Sequence, residues 1–197
     1  KRGIGERQDT ADTQVLNPWH EIRGTPEKYY GLFWKGMPDF NLDNPGLREE
    51  LLKLLRYWLI EVGVDGFRLD AARHIYPEWE KERNPQFWAE FGAAVRHIKP
   101  STYTVGEVWA NAQEVGPYFR SLSANFNFDL ATALQDLIRT ERNNGALLPK
   151  LLNDYAIFSA YNPDFIDATM LSNHDQNRIG SIAKGQAEKI KLAASLL

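Results

Sequence analysis

The sequence predicts an α/β chain built on a parallel sheet. Two observations carry this: short apolar runs bounded by turn residues alternate with longer stretches of helical periodicity, and three segments of that pattern bring an acid to the end of an apolar run. The segments are Asp65-Gly66-Phe67-Arg68-Leu69-Asp70, Val105-Gly106-Glu107-Val108-Trp109 and Leu171-Ser172-Asn173-His174-Asp175. Strands that alternate with helices pair in parallel through right-handed crossovers.

The elements follow in order. Residues 1 to about 35 are polar, with scattered Gly, Pro, Asn and Asp and no sustained period, and are expected to be irregular. The aromatic cluster Trp19, Tyr29, Tyr30, Phe33 and Trp34 pins this segment to something larger. Asn44-Pro45 is an N-cap followed by proline at the first helical position. Leu47, Leu51, Leu54, Trp58 and Val62 then recur at helical spacing, and Gly63 stands where a helix stops. Strands are predicted over 64–70, 102–107, 125–128 and 166–171. Helices are predicted over 85–97, 113–122, 131–142, 147–155 and 187–197. Side chains alternate along a strand, so Arg68 and Asp70 share one face while Phe67 and Leu69 share the other.

Four such strands are about half of the eight in a closed barrel, which typically takes about 250 residues. The predicted architecture is a partial TIM (β/α)8 barrel of about four βα units. A small open doubly wound sheet is the alternative, but it would carry a Gly-rich phosphate loop after its first strand, and Arg68-Leu69-Asp70-Ala71 is not one.

Composition narrows the function. The chain has 197 residues, 43% of them hydrophobic and 25% charged, enough apolar material for one core. A net charge of −3 gives no electrostatic footprint for nucleic acid or an anionic membrane. Cysteine is absent, which excludes disulfides and thiolate metal sites. No apolar run approaches the roughly 20 residues of a membrane span. The first residues, Lys1-Arg2-Gly3-Ile4-Gly5, lack an initiator Met and an apolar stretch, and the chain stops inside a helical pattern at Leu197. Both ends therefore read as cut.

Three carboxylates brought to one end of a parallel barrel suit the cleavage of a glycosidic bond. That reaction uses one carboxylate as nucleophile and one as acid/base beside an oxocarbenium-like transition state. Asp70, two residues after Arg68 on the same face, would be kept ionised by the guanidinium. Glu107, flanked by Val105, Val108 and Trp109, would have an apolar surround suited to a proton donor. Asp175 would be the third acid, with His174 donating to a sugar hydroxyl. Each pattern alone is more often structural: a salt bridge at a strand end, a loop acid, a solvated His-Asp pair. Metal-dependent hydrolysis through His74, His174, Asp70 and Asp175 competes, but no His-x-His or His-Glu-x-x-His spacing supports it. His97, within a helix, and His20, in the loop segment, read as structural.

At these residues the sequence resembles the α-amylase family of glycoside hydrolases, glycoside hydrolase family 13. Gly66-Phe67-Arg68-Leu69-Asp70-Ala71-Ala72-Arg73-His74 is similar to the family's nucleophile segment, and Gly106-Glu107-Val108-Trp109 to its acid/base segment. Leu171-Ser172-Asn173-His174-Asp175-Gln176 is similar to the third-acid segment. Met37-Pro38-Asp39-Phe40-Asn41 resembles a motif near the end of domain B, the domain inserted after the third barrel strand.

The resemblance implies that Asp70 is the nucleophile, Glu107 the acid/base and Asp175 the transition-state stabiliser. Arg68, Arg73, His74, Trp109 and His174 would bind substrate, with Arg73 where the family has Lys. Residues 1–36 would be part of domain B and 37–197 the partial barrel, spanning the fourth to seventh strands. The substrate would be starch or a maltooligosaccharide cleaved at α-1,4 bonds with retention. Ala71, a small residue directly after the nucleophile, resembles the α-1,4-acting members. An α-1,6-glucosidase, a transglycosylase, or an inert half-barrel that self-associates are the alternatives. Asn41 stands where calcium-dependent members commonly place Asp, and the His74 backbone carbonyl is one further neighbour. These two do not define a calcium site, so no cofactor is assigned. A polymeric substrate suits an extracellular or periplasmic location. Four strands with two open edges are expected to be inactive alone, and to self-associate or pair with a companion fragment that completes the barrel.

Overall fold

A computed structural model describes residues 17–142 and 145–197; expectations for residues 1–16 lie outside them. The described residues begin with an antiparallel hairpin, β1 (Trp19–Glu21) and β2 (Lys28–Tyr30). This segment was expected to be irregular. Its strands are too short for a visible period, and the Trp19–Tyr30 ring pair, edge-on at 5.3 Å across the register, holds them together.

Helix α1 (Pro45–Arg56) begins as the sequence dictates, with the Asn44 side chain accepting from the amides of Gly46 and Leu47 at 2.9 and 3.3 Å. It continues as a π-helical turn over Tyr57–Val62 and stops at Gly63, whose φ of 80° a Cβ would disfavour. Strand β3 (Gly66–Leu69) follows, then 3-10 turns at Ala72–His74 and Glu78–Arg83 and helix α2 (Asn84–Ile98). Next come β4 (Tyr103–Gly106) and the short α3 (Ala112–Val115). The helix predicted to reach residue 122 instead tightens into a 3-10 turn at Gly116–Arg120, because Gly116-Pro117 interrupts the α pattern.

Strand β5 (Ala124–Phe126), α4 (Phe128–Thr140), α5 (Leu147–Tyr161) and β6 (Ile166–Ala168) complete the alternation, followed by α6 (Ile179–Ile182) and α7 (Ala187–Ser195). The last strand ends at Ala168 rather than residue 171. Among the described residues no helix is long and apolar enough to cross a membrane.

Strands β3-β4-β5-β6 form one parallel sheet in sequence order, with β3 and β6 at its edges among the described residues. This is the order of a barrel segment, in which each crossover helix lies behind the strand pair it joins. The main core lies between sheet and helices. There Leu69, Trp88, Phe119 and Phe158 are buried, and the Trp88 indole donates to the Ala72 carbonyl at 2.7 Å.

Candidate active site

The register of β3 against β4 places the first two acids. Arg68 lies opposite Val105. Two residues further along each chain, Asp70 and Glu107 emerge at one level of the sheet, on the face that Arg68 occupies. The Arg68 guanidinium spans both: one terminal nitrogen donates to Asp70, and the other lies 2.6 Å from Glu107 Oε1. Asp70 is 73% exposed in its side chain, whereas Glu107 is only 11% exposed. The nucleophile candidate faces open solvent and the acid/base candidate sits in the wall.

Glu107 was expected in an apolar surround. The structure gives it polar partners as well, for a local backbone reason. Ala71 adopts a left-handed conformation with φ 45° and ψ 43°, which turns its N–H onto Glu107 Oε2 at 2.9 Å. The Ala72 amide donates to the Glu107 carbonyl at 2.9 Å, and the Glu107 amide to Leu69 at 3.0 Å. Arg73 adds another link, donating to the Trp109 carbonyl at 2.7 Å, with Glu114 at 3.3 Å and Glu78 at 3.6 Å. The turn after β3 is thus fastened to the segment after β4 at successive residues. Trp109 in turn lies flat on Phe128, with ring centroids 4.5 Å apart and planes 15° apart.

The third acid reaches the site differently. Asp175 lies in the loop well beyond β6, its amide donating to Asn173 Oδ1 at 2.9 Å and its carboxylate 3.2 Å from His174 Nε2. The sequence pattern placed each acid at a strand end; for Asp175 the strand is shorter and a loop carries it. Asp70, Glu107 and Asp175 nonetheless line one cleft of about 510 Å³, together with Arg73, His74, Trp109 and His174. His74 packs edge-on against Phe33 with centroids 5.5 Å apart. Ala71, read from the sequence as the small residue after the nucleophile candidate, also lines the cleft, as do Phe33 and Met37, which were not singled out as site residues. Met37 belongs to the Met37-Pro38-Asp39 motif, which was the available signal. Nothing in the pattern around Phe33 marks it.

The family model described as "Alpha amylase, catalytic domain" matches residues 9–197, almost the whole chain. This chain belongs to the alpha-amylase family. It is 44% identical to "Alpha-amylase 3" of Dictyoglomus thermophilum over 85% of this chain and 33% of that protein. It is 32% identical to a 4-alpha-glucanotransferase of Thermotoga maritima over 98% of this chain and 40% of the other. The crystal structure of an alpha-amylase from H.orenii superposes with a TM-score of 0.85 at 34% identity, covering 100% of this chain and 39% of that one. The chain therefore spans between a third and two fifths of the length of these relatives.

Calcium is found in many alpha-amylase family members, but the residues named for it do not assemble a cage. The Asn41 side chain accepts from the Asp43 amide at 3.1 Å. Among the described residues no group of three or more His, Asp or Glu side chains is arranged to hold a metal ion. Calcium needs about six to eight oxygen ligands, so no step is assigned to it.

Proposed function

We propose that the whole protein cleaves α-1,4-glucosidic bonds of starch or maltooligosaccharides with retention of configuration. The observation that carries this reading is the single Arg68 guanidinium shared by Asp70 and Glu107, with Asp175 lining the same cleft. Adjacent strands lie about 4.8 Å apart, and retaining glycosidases hold their two carboxyl groups about 5–5.5 Å apart. Two acids at one level of neighbouring strands suit the retaining spacing better than the wider inverting one.

In this reading Asp70 attacks the anomeric carbon while Glu107 gives its proton to the departing glycosidic oxygen. The leaving sugar departs with that proton, and a glycosyl ester forms on Asp70. Glu107, now ionised, takes a proton from water, whose oxygen attacks the same carbon and releases Asp70. Asp175 offsets positive charge on the ring in both transition states, and His174 beside it binds a sugar hydroxyl. Arg68 keeps the Asp70 carboxylate turned toward the anomeric carbon. His74 and Trp109 bound the side on which the leaving sugar sits, and Arg73 shapes that side by holding the Trp109 backbone.

Residues up to 36 belong, in this reading, to domain B and the rest to the barrel. The similarity to 4-alpha-glucanotransferases supports a second outcome for the same ester, attack by a sugar hydroxyl in place of water. The edge positions of β3 and β6 and the apolar groove of about 430 Å³ between α1 and α2 support association with a further segment or copy that completes the barrel.

The test is product analysis with the whole protein on maltotriose and starch, the anomer being followed by NMR. Initial α-anomeric products support the reading. Initial β-anomers, or no cleavage of any α-glucan, defeat it, and a dominance of longer products selects transfer over hydrolysis.

A further inference from the structure

An exposed tryptophan is ordinary by itself; the one at Trp34 is set apart by its backing and its place. Its neighbours in the loop, Phe33 and Met37, both line the catalytic cleft, and the Met37 amide donates to the Trp34 carbonyl at 3.0 Å. Trp34 itself is 55% exposed. Its six-membered ring lies directly against Gly36, so closely that a Cβ there would collide with three of the ring carbons.

The loop is also tied down at several points. Tyr29 donates its hydroxyl to the Lys35 carbonyl, the Leu32 amide donates to Asp39 Oδ2 at 2.8 Å, and the Asp39 amide to the Tyr30 carbonyl at 2.9 Å. An indole backed by glycine and more than half exposed offers ring surface to solvent, and it does so from a loop tied down at several points.

We propose that Trp34 is a glucan-binding platform at the rim of the cleft, on which a glucose unit of a chain running out of the catalytic site stacks. The proposal rests on the α-glucan reading of that site. A pyranose in its chair form presents axial C–H groups on one face, which pack on a flat aromatic ring, while its hydroxyls point sideways into water. A platform held in place before binding loses little conformational freedom when a sugar arrives. A short substrate fills the cleft beside Asp70 without reaching Trp34; a longer one reaches it. The glycine at 36 is then part of the binding site, because a Cβ there would collide with the ring in its present position.

The experiment is calorimetric titration of maltotriose and maltoheptaose into the whole protein carrying Asp70→Asn, which removes turnover from the reading. Adding Trp34→Ala is expected to weaken maltoheptaose binding about tenfold and to leave maltotriose unchanged, with Trp34→Phe between the two. Gly36→Ala, which leaves the indole present but lifts it, should reproduce part of the loss and serves if Trp34→Ala does not fold. Equal weakening of both sugars, or no weakening of either, overturns the platform. Because the titration reads binding alone, binding of maltoheptaose through Trp34 in the Asp70→Asn protein, with no product released by the protein that retains Asp70, would refute the hydrolase reading and leave the platform standing.

Discussion

The acids of this cleft are held in two ways. Asp70 and Glu107 leave neighbouring strands at one level, share Arg68, and are joined by backbone contacts from Ala71 and Ala72. Asp175 itself has local partners, Asn173 within two residues and His174 beside it, in a loop tied to α4 upstream, where the Gln135 side chain donates to the Leu171 carbonyl at 2.7 Å and Leu171 packs on the Ile138 cluster. The difference teaches that a parallel sheet brings a carboxylate pair to one level through register, whereas a loop acid depends on its own turn and on what anchors the loop. The pair is preorganised by strand register, and the third acid by a local turn in a loop tethered to α4.

The sharpest way to break the comparison is to remove charge from the pair without removing volume. Asp70→Asn should abolish nearly all turnover on maltooligosaccharides, and Glu107→Gln should lower kcat by about 10²–10⁴-fold, the usual reach of general acid–base catalysis. Melting temperature should barely move for Asp70→Asn, since an exposed ion pair contributes at most about 1 kcal/mol. Full activity in either variant would remove the pair from the chemistry.

Arg68→Lys comes next. Lysine is a point charge and cannot present two parallel donors to two carboxylates, so kcat should fall about 100-fold, the cost of roughly 1 Å of misplacement, with KM changed less. A lysine variant of normal kcat would show that the shared guanidinium does not position the acids.

Ala71 tests the backbone link. A left-handed conformation costs an L-residue about 1–2 kcal/mol, so Ala71→Gly should hold or raise the melting temperature, and the β-branched Ala71→Val should lower both stability and kcat. A valine variant with unchanged kcat would mean that the Ala71 amide has no part in holding Glu107.

The smallest effect lies behind the sheet. Burial raises the Asp167 carboxyl above its ordinary value, against the hydrogen bond that the Asn127 amide donates at 3.0 Å. An acid raised in the folded state holds its proton more tightly there than in the unfolded chain. Stability is therefore lost as pH rises from about the ordinary carboxylate value through the raised one. Asp167→Asn should accordingly melt a few degrees higher at neutral pH, with the gain disappearing in acid. A gain independent of pH would assign it to packing and not to charge.

Much of this was legible in the residues. Asn44-Pro45 and Gly63 bounded the first helix because caps and stops act through neighbouring backbone. Asp70 and Glu107 were legible because alternation fixes faces along a strand. The Arg68 contact to Glu107 was not, since it depends on the register between two strands that are far apart in sequence. Nor was the positive φ of Ala71, a residue type that gives no signal for it. The hairpin around Trp19 and Tyr30 escaped because three-residue strands leave no period to read. The loop position of Asp175 was hidden by apolar residues that continue the strand pattern past its true end at Ala168.

The central claim is that Asp70 is the nucleophile of a retaining site. It is tested most directly by treating the whole protein with a fluorinated glucosyl fluoride, whose glycosyl ester hydrolyses slowly, and mapping the trapped adduct by peptide mass spectrometry. The account predicts one added glycosyl group on the peptide containing Asp70, and none there after Asp70→Asn. An adduct on a different acid, or none in a protein that turns over the same reagent, would contradict it.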